Sequence, residues 1–232
     1  MRLSDNFRIR KMKQENIIIF AMTLFCIGLT GCRTTSLKDF EGNEYKTVTL
    51  GTQEWMAENL KTTKYNDGTP IQMVTDNEAW VKLTTPAFSW YNNDSTENKN
   101  TYGALYNWYT VNTNKLCPAG WHVPADGEWM TLTTFLEGFR IAGGKLKEKG
   151  TGHWKSPNTS ATNETGFNAL PGGYRSIEGV FNYIRISGYW WSSTEYNESS
   201  IFFWNMVYKF SNIYKSRSEK YCGFSVRCLK DH

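Results

Sequence analysis

Trp154, Asn163, Glu164, Tyr174 and Arg175 fall in the second half of a 232-residue chain, followed by Trp190, Trp191, Trp204 and Asn205. Their types suit a ligand-binding surface. Indole and phenol rings offer broad apolar faces with a polar edge, and the amide, carboxylate and guanidinium groups supply hydrogen-bond donors and acceptors. From residue 150 to 187 the chain is mostly turn-formers, including Ser156-Pro157-Asn158 and Pro171-Gly172-Gly173. Loops this long inside a compact domain are uncommon and usually functional. Trp190 and Trp191 are neighbours, so on a strand they point to opposite faces and at least one enters the core. A Glu164–Arg175 ion pair would equally serve only to fix a loop.

Nucleophilic and phosphoryl-transfer chemistry is poorly supported. The chain has no Gly-x-Ser-x-Gly, no His-Glu-x-x-His and no phosphate-cradling glycine loop. Beyond residue 31 its histidines are His122, His153 and His232. His122 lies inside a Cys-Pro-Ala-Gly-Trp-His-Val-Pro run and is expected to be satisfied in a turn or core. His153 stands beside Trp154 with no evident carboxylate, and a lone imidazole is not a positioned base. The expectation is a protein without enzymatic activity and without a cofactor.

The N-terminus carries a targeting pattern. Arg2, Arg8, Arg10, Lys11 and Lys13 form a basic region, and residues 17–29 are an apolar run of signal length, short of the roughly 20 residues of a membrane span. The run ends in Leu29-Thr30-Gly31-Cys32, which resembles the bacterial lipobox. That resemblance implies cleavage before Cys32, lipid on its sulfur, and a protein exported to a bacterial membrane, at the outer membrane or cell surface. Two or three acyl chains anchor stably where one is marginal. The chain then divides into a signal over 1–31, a tether over 32–40 and one domain over 41–232.

Five basic and two acidic residues precede Cys32, so a chain of net charge +4 is reduced to +1 beyond it. Nucleic acid is a poor partner, because counterion release needs clustered Lys and Arg and no cluster is visible. Cys117, Cys222 and Cys228 remain in an oxidising compartment that permits a disulfide. If residues 222–228 are extended, their ends lie six steps of ~3.3 Å apart, too far to bond to each other. Cys117 therefore pairs with one of the two.

Elements must position these residues. Residues 45–50 and 53–57 read as strands around a Gly51-Thr52 turn, and Asp76 caps a helix over 77–83. Residues 92–100 read as an exposed polar loop, and 102–111 as a strand or short helix. Trp129, Leu132, Leu136 and Phe139 form one helical stripe, stopped near Glu137-Gly138, with a second helix over 141–148. Strands over 189–193, 201–208 and 224–229 close the fold.

Seven blocks carry a family resemblance: Trp55-Met56-Ala57-Glu58-Asn59-Leu60, Leu116-Cys117-Pro118-Ala119-Gly120-Trp121-His122-Val123-Pro124, Glu128-Trp129, Ala161-Thr162-Asn163-Glu164-Thr165-Gly166-Phe167, Leu170-Pro171-Gly172-Gly173-Tyr174-Arg175, Tyr189-Trp190-Trp191-Ser192-Ser193-Thr194 and Gly223-Phe224-Ser225-Val226-Arg227-Cys228. Over roughly residues 40–230 the chain resembles the Fibrobacter succinogenes major paralogous domain. The resemblance implies a loop-rich α+β fold of C-type-lectin-like kind, with small antiparallel sheets, one or two short helices and a disulfide-tied final strand. It also implies a bridge from Cys117 to Cys228, leaving Cys222 as a buried thiol. Formylglycine-generating enzymes share that fold, but their oxidase chemistry needs a reactive cysteine pair, and Cys222 would stand alone. Sugar-binding lectins of the fold hold calcium with Glu-Pro-Asn and Trp-Asn-Asp. Ser156-Pro157-Asn158 and Trp204-Asn205-Met206 each lose a carboxylate, so calcium is not supported. The expected function is a lipid-anchored module that binds a glycan or an envelope protein. The alternative is a structural envelope protein.

Overall fold

The structure, a computed structural model, describes residues 36–232. Cys32 and the apolar run before it lie outside the described residues. Order begins earlier than the expected tether boundary. Strands β1 (Leu37–Lys38) and β2 (Glu44–Tyr45) pair antiparallel. The buried Asp39 carboxylate holds the turn between them, accepting from Glu41 N, Asn43 N and the Tyr45 hydroxyl at 2.9, 3.0 and 2.6 Å. Such a side-chain-built turn leaves no apolar periodicity in the sequence.

Strands β3 (Thr47–Leu50) and β4 (Gln53–Met56) form the expected hairpin around Gly51-Thr52. Asp76 caps α1 (Asn77–Val81), its carboxylate accepting from Ala79 N at 2.7 Å. The expected polar loop over 92–100 is corrected: after β5 (Phe88–Ser89), Asp94 caps a two-turn helix, α2 (Ser95–Tyr102), by accepting from Thr96 N and Glu97 N. Only Asn98 and Tyr102 of α2 are buried, so no apolar stripe announced it. Strand β6 (Leu105–Tyr106), helix α3 (Trp108–Val111) and β7 (Trp121–His122) follow.

Helix α4 (Asp126–Phe135) buries Trp129 and Leu132, and its cap residue Leu136 is buried too. Phe139 leaves the stripe, because the backbone turns at Gly138 with φ 100° and Phe139 starts α5 (Phe139–Leu146). Two glycines inside α5 are explained by close packing: a Cβ on Gly143 would overlap the Asn212 carbonyl oxygen, and one on Gly144 would lie 2.6 Å from the Ser160 carbonyl oxygen.

The remaining strands are β8 (Gly172–Arg175), β9 (Phe181–Ile184), β10 (Ser187–Glu195), β11 (Ser200–Val207), β12 (Ile213–Glu219) and β13 (Leu229–Lys230). Two of these, β8 and β12, are glycine-rich or polar and escape a search for apolar alternation, and β9, Phe-Asn-Tyr-Ile, is too short to stand out. One sheet has the order β12-β11-β10-β8-β9, with only β8 and β10 parallel, and a second has the order β3-β4-β13-β7. Two-stranded pairs β1-β2 and β5-β6 complete an α+β architecture of small sheets.

The five-stranded sheet separates two aromatic cores. Its register sets Trp190 opposite Trp204 and Trp191 opposite Phe203, so the period of two sends one pair to each side. Trp190, Trp204, Met206 and Ile213 pack with Trp129, Leu132 and Leu146 of the two helices. Trp191, Phe203 and Ile201 pack on the other side with Tyr106, Trp108 and Phe224.

Residues 222–228 run through the second core without a continuous ladder. Tyr106 N donates to Phe224 O at 2.9 Å, Ser225 N to Tyr189 O at 3.1 Å, Leu60 N to Val226 O at 2.8 Å and Met56 N to Cys228 O at 3.0 Å. The partner changes almost residue by residue, which is why only Leu229 of the expected last strand falls in a regular one, β13. Cys222, Phe224, Val226 and Cys228 lie in one cluster. Cys117 and Cys228 are bonded, with Cα atoms 5.9 Å apart across 111 residues, and Cys222 is free and buried. Closing so long a loop stabilises by about 2–5 kcal/mol.

Candidate functional site

Most of the aromatic candidates are core. Trp154, Trp190, Trp191 and Trp204 are wholly buried, as is Arg175, which corrects the expectation of an open indole surface. Three of the indoles also spend their N–H groups inside. Trp154 Nε1 donates to Ala169 O at 2.9 Å, Trp190 Nε1 to Asn59 Oδ1 at 2.9 Å and Trp191 Nε1 to Tyr106 O at 2.7 Å. Trp204 stacks between Trp129 and Phe139, with ring centroids at 5.8 and 5.6 Å. The physical reason is the two-sided sheet: both faces of β10 and β11 are covered at these positions, so alternation exposes neither tryptophan.

Arg175 does not meet Glu164. Its Nε donates to Gly179 O at 2.8 Å, and its Nη atoms donate to Val74 O at 2.5 Å, Thr75 O at 3.0 Å and Asn77 Oδ1 at 3.0 Å. The guanidinium lies between the Trp80 and Phe181 rings, 4.3 and 4.8 Å from their centroids. It is a buried clamp on the chain around α1. Glu164 pairs instead with Lys145 at 3.5 Å. Asn163 closes its own loop, accepting from Asn168 N at 2.8 Å. Asn158 is buried with its amide donating to the Glu148 and Gly150 carbonyls. Asn163 Oδ1 and the Glu164 carboxylate are thus taken up in separate local bonds, and the described residues contain no cluster of three or more acidic, histidine or cysteine side chains able to hold a metal.

Tyr174 and Asn205, like Asn163 and Glu164, reach water, and the sheet brings the first two into one row. Tyr174 on β8 pairs with Asn182 on β9, Tyr189 on β10 pairs with Asn205 on β11, and Asn205 pairs with Tyr214 on β12. Tyr174 and Tyr189 join across the parallel step with ring centroids 4.8 Å apart. Directly opposed residues share a face, so Asn182, Tyr174, Tyr189, Asn205 and Tyr214 form a continuous stripe across all five strands. Every member is partly or well exposed. Tyr183 extends the stripe: it is 51% exposed and stacks on Tyr174 at 5.9 Å and 17°. Its backbone φ of 62° is rare for an aromatic residue and turns the ring onto this face. Burial pushes the Tyr189 hydroxyl up to about 12, so it stays a neutral donor and acceptor at neutral pH.

Sequence reading missed Tyr189, Asn182, Tyr183 and Tyr214. Tyr189 was recoverable, since it begins an expected strand and alternates with Trp191. Tyr214 belongs to a strand that lacks apolar alternation, and Asn182 and Tyr183 to a four-residue strand too short to stand out.

A separate concavity of about 260 Å³ is lined by Glu58, Asn59, Lys61, Asn100, His153 and Arg227, among others. His153 is not the lone imidazole expected: its Nδ1 lies 2.7 Å from Glu148 Oε1. Arg227 at this cavity is wholly committed, donating to Asn59 Oδ1 at 2.9 Å, to Asn168 O at 2.9 Å and to Phe167 O. His122 lies between two carboxylates, 2.6 Å from Asp231 Oδ1 and 2.9 Å from Glu128 Oε1. Burial lowers its pKa, but the hydrogen bonds and charges of Asp231 and Glu128 outweigh burial and raise it above the ordinary value. Glu128 also accepts from Ala125 N at 2.7 Å, giving half of a capping box without a hydroxyl at Ala125.

Residues 48–230 match the model of the Fibrobacter succinogenes major domain. The chain belongs to that family. No curated protein and no solved structure matches the chain. In this member of the Fibrobacter succinogenes major domain family, the recognisable blocks meet one another in the interior. Asn59 of the first block accepts from Trp190 and Arg227 and donates to Tyr102 O and Ser225 Oγ. Arg227 of the last block gathers the carbonyls of Phe167 and Asn168, and Cys117 closes on Cys228. The blocks therefore account for the scaffold, and the tyrosine row lies mostly between or beside them.

Proposed function

We propose that this protein is a non-enzymatic binding module, exported and held at the bacterial envelope by lipid on Cys32, with an extracellular glycan or protein as ligand. The outer membrane or cell surface is its location. The observation that carries the binding reading is the solvent-facing row of tyrosines and asparagines across the five-stranded sheet. Tyrosine supplies large, rigid, amphipathic contact at small entropic cost. The C-type-lectin-like reading of the fold is part of the same proposal, supported by a disulfide that ties the segment before α4 to the closing segment. The reading includes no calcium, no other cofactor and no nucleic-acid partner.

Two measurements test it. Fatty-acid probe labelling in a bacterial host should mark the protein and should be lost in Cys32→Ala; unlabelled wild type removes the anchor from the proposal. A glycan array together with an envelope pull-down should give a ligand for wild type that is lost in Tyr183→Ala or Tyr214→Ala. The second reading is a structural envelope protein, favoured by the burial of four candidate tryptophans. It predicts that these two substitutions leave every envelope interaction unchanged.

A further inference from the structure

The geometry points to a neutral, extended polysaccharide as the ligand of the tyrosine row, lying across the strands from β9 to β12. This inference rests on the binding-module reading and names its ligand class. Four inter-strand steps of ~4.8 Å give the row a span of about 19 Å, longer than a single sugar ring. A chain of repeating units is the occupant that fills it.

Chemistry selects the class. The C–H-rich face of a pyranose carries slight positive charge and stacks on the electron-rich face of a phenol ring. Tyr183 at one end and Tyr214 at the other provide the exposed rings, while Tyr174 and Tyr189 between them pack on Phe224 and Tyr183 and present only their partly exposed edges. Asn182 and Asn205 sit within the row, and each carboxamide can donate to and accept from sugar hydroxyls at once. None of the row residues, from Asn182 and Tyr183 through Tyr214, carries a charge. With no cationic side chain among its members, the row offers uronic acids and other anionic polymers no counter-charge. A protein partner would more often call for charged complementarity at the rim.

The experiment is affinity electrophoresis and calorimetry of the full chain in detergent, with hydroxyethylcellulose and a soluble β-glucan as neutral probes and polygalacturonate as the acidic one. The expected result is retardation by at least one neutral polymer and not by polygalacturonate. Affinity should rise with oligosaccharide length until the oligomer spans the row. Tyr174→Ala, Tyr214→Ala and Asn205→Ala should each weaken binding tenfold or more, with unchanged thermal unfolding for Tyr214→Ala. A preference for polygalacturonate, or neutral binding that all three variants retain, overturns the inference. An envelope protein captured by wild type and lost in Tyr214→Ala overturns the glycan but keeps the binding module, as does dimerisation lost in the same variant. Absence of any ligand overturns both.

Discussion

Tyr189 and Asn205 stand directly opposite each other on β10 and β11, on the part of that sheet face that reaches water. One residue along, Trp190 and Trp204 make the same kind of pair on the reverse face and are fully buried. The partly exposed row and the buried tryptophan pair are therefore separated by one step of strand alternation, which sets a sharp contrast for mutation. Tyr214→Ala, on the exposed row, should change unfolding free energy by less than about 0.5 kcal/mol. Trp204→Ala should cost about 3–5 kcal/mol. Urea denaturation of the two variants beside wild type measures both; equal losses would place Tyr214 in the core.

The disulfide and the free thiol should behave oppositely. Cys228→Ala, or reduction of the bridge, should cost about 2–5 kcal/mol through the freed loop. Cys222 is buried, and burial pushes its thiol up to about 11, so it carries almost no thiolate at neutral pH. In the mature protein as proposed, with Cys26 removed and Cys32 lipidated, a thiol reagent should label no cysteine when native and one, Cys222, after unfolding without reductant. Rapid native labelling would show that Cys222 is reachable.

His122 makes stability depend on pH near neutrality. Its folded-state pKa is raised by Asp231 and Glu128, so the folded protein holds a proton that the unfolded chain releases first. The stabilisation is fully present below the unfolded value of 6.5 and is lost as pH rises through the raised folded value. In His122→Gln that slope should disappear. Unfolding free energies of both proteins across about pH 5 to 8 read the difference, and parallel curves would show that the two carboxylates do not hold the imidazolium.

Lys147 gives a slope of the other sign. It is buried, with Nζ donating to Phe210 O at 2.8 Å and Thr159 O at 3.0 Å, and no carboxylate is bonded to it. Burial lowers its pKa from 10.5 to about 8. Between these values the unfolded chain binds more protons than the folded one, so this residue's contribution to stability rises with pH. The Cys222 thiol, pushed up from 9.0 to about 11, and the buried tyrosines act in the opposite direction and overlap this window, but they are common to wild type and variant and cancel in the difference. Lys147→Met should flatten the rise, read as the difference between wild-type and variant unfolding curves across that window.

Several elements were legible because local chemistry specifies them. Asp76 announced α1 through its carboxylate, Gly51-Thr52 announced the first hairpin, and Trp129, Leu132 and Leu136 announced α4 through their spacing. The pairing of Cys117 with Cys228 came from the family resemblance, since either Cys222 or Cys228 satisfied the distance argument. Helix α2 was hidden because only two of its residues are buried, and β12 because its outward residues are charged or hydroxylated while its register with β11 supplies the order.

The sequence by itself determined the secondary structure whose signals are local, the aromatic mass of the core, and membership of a recognisable family. Which aromatics became core and which became surface was decided only by tertiary structure. Exposure belongs to the layer that covers a strand, not to the residue on it: α4 and α5 close over one face of the five-stranded sheet, while α3 and the closing segment cover only part of the other. Trp190 and Trp191 therefore both vanish from the surface, and the shorter reach of that second cover leaves Tyr189 and Asn205 in water.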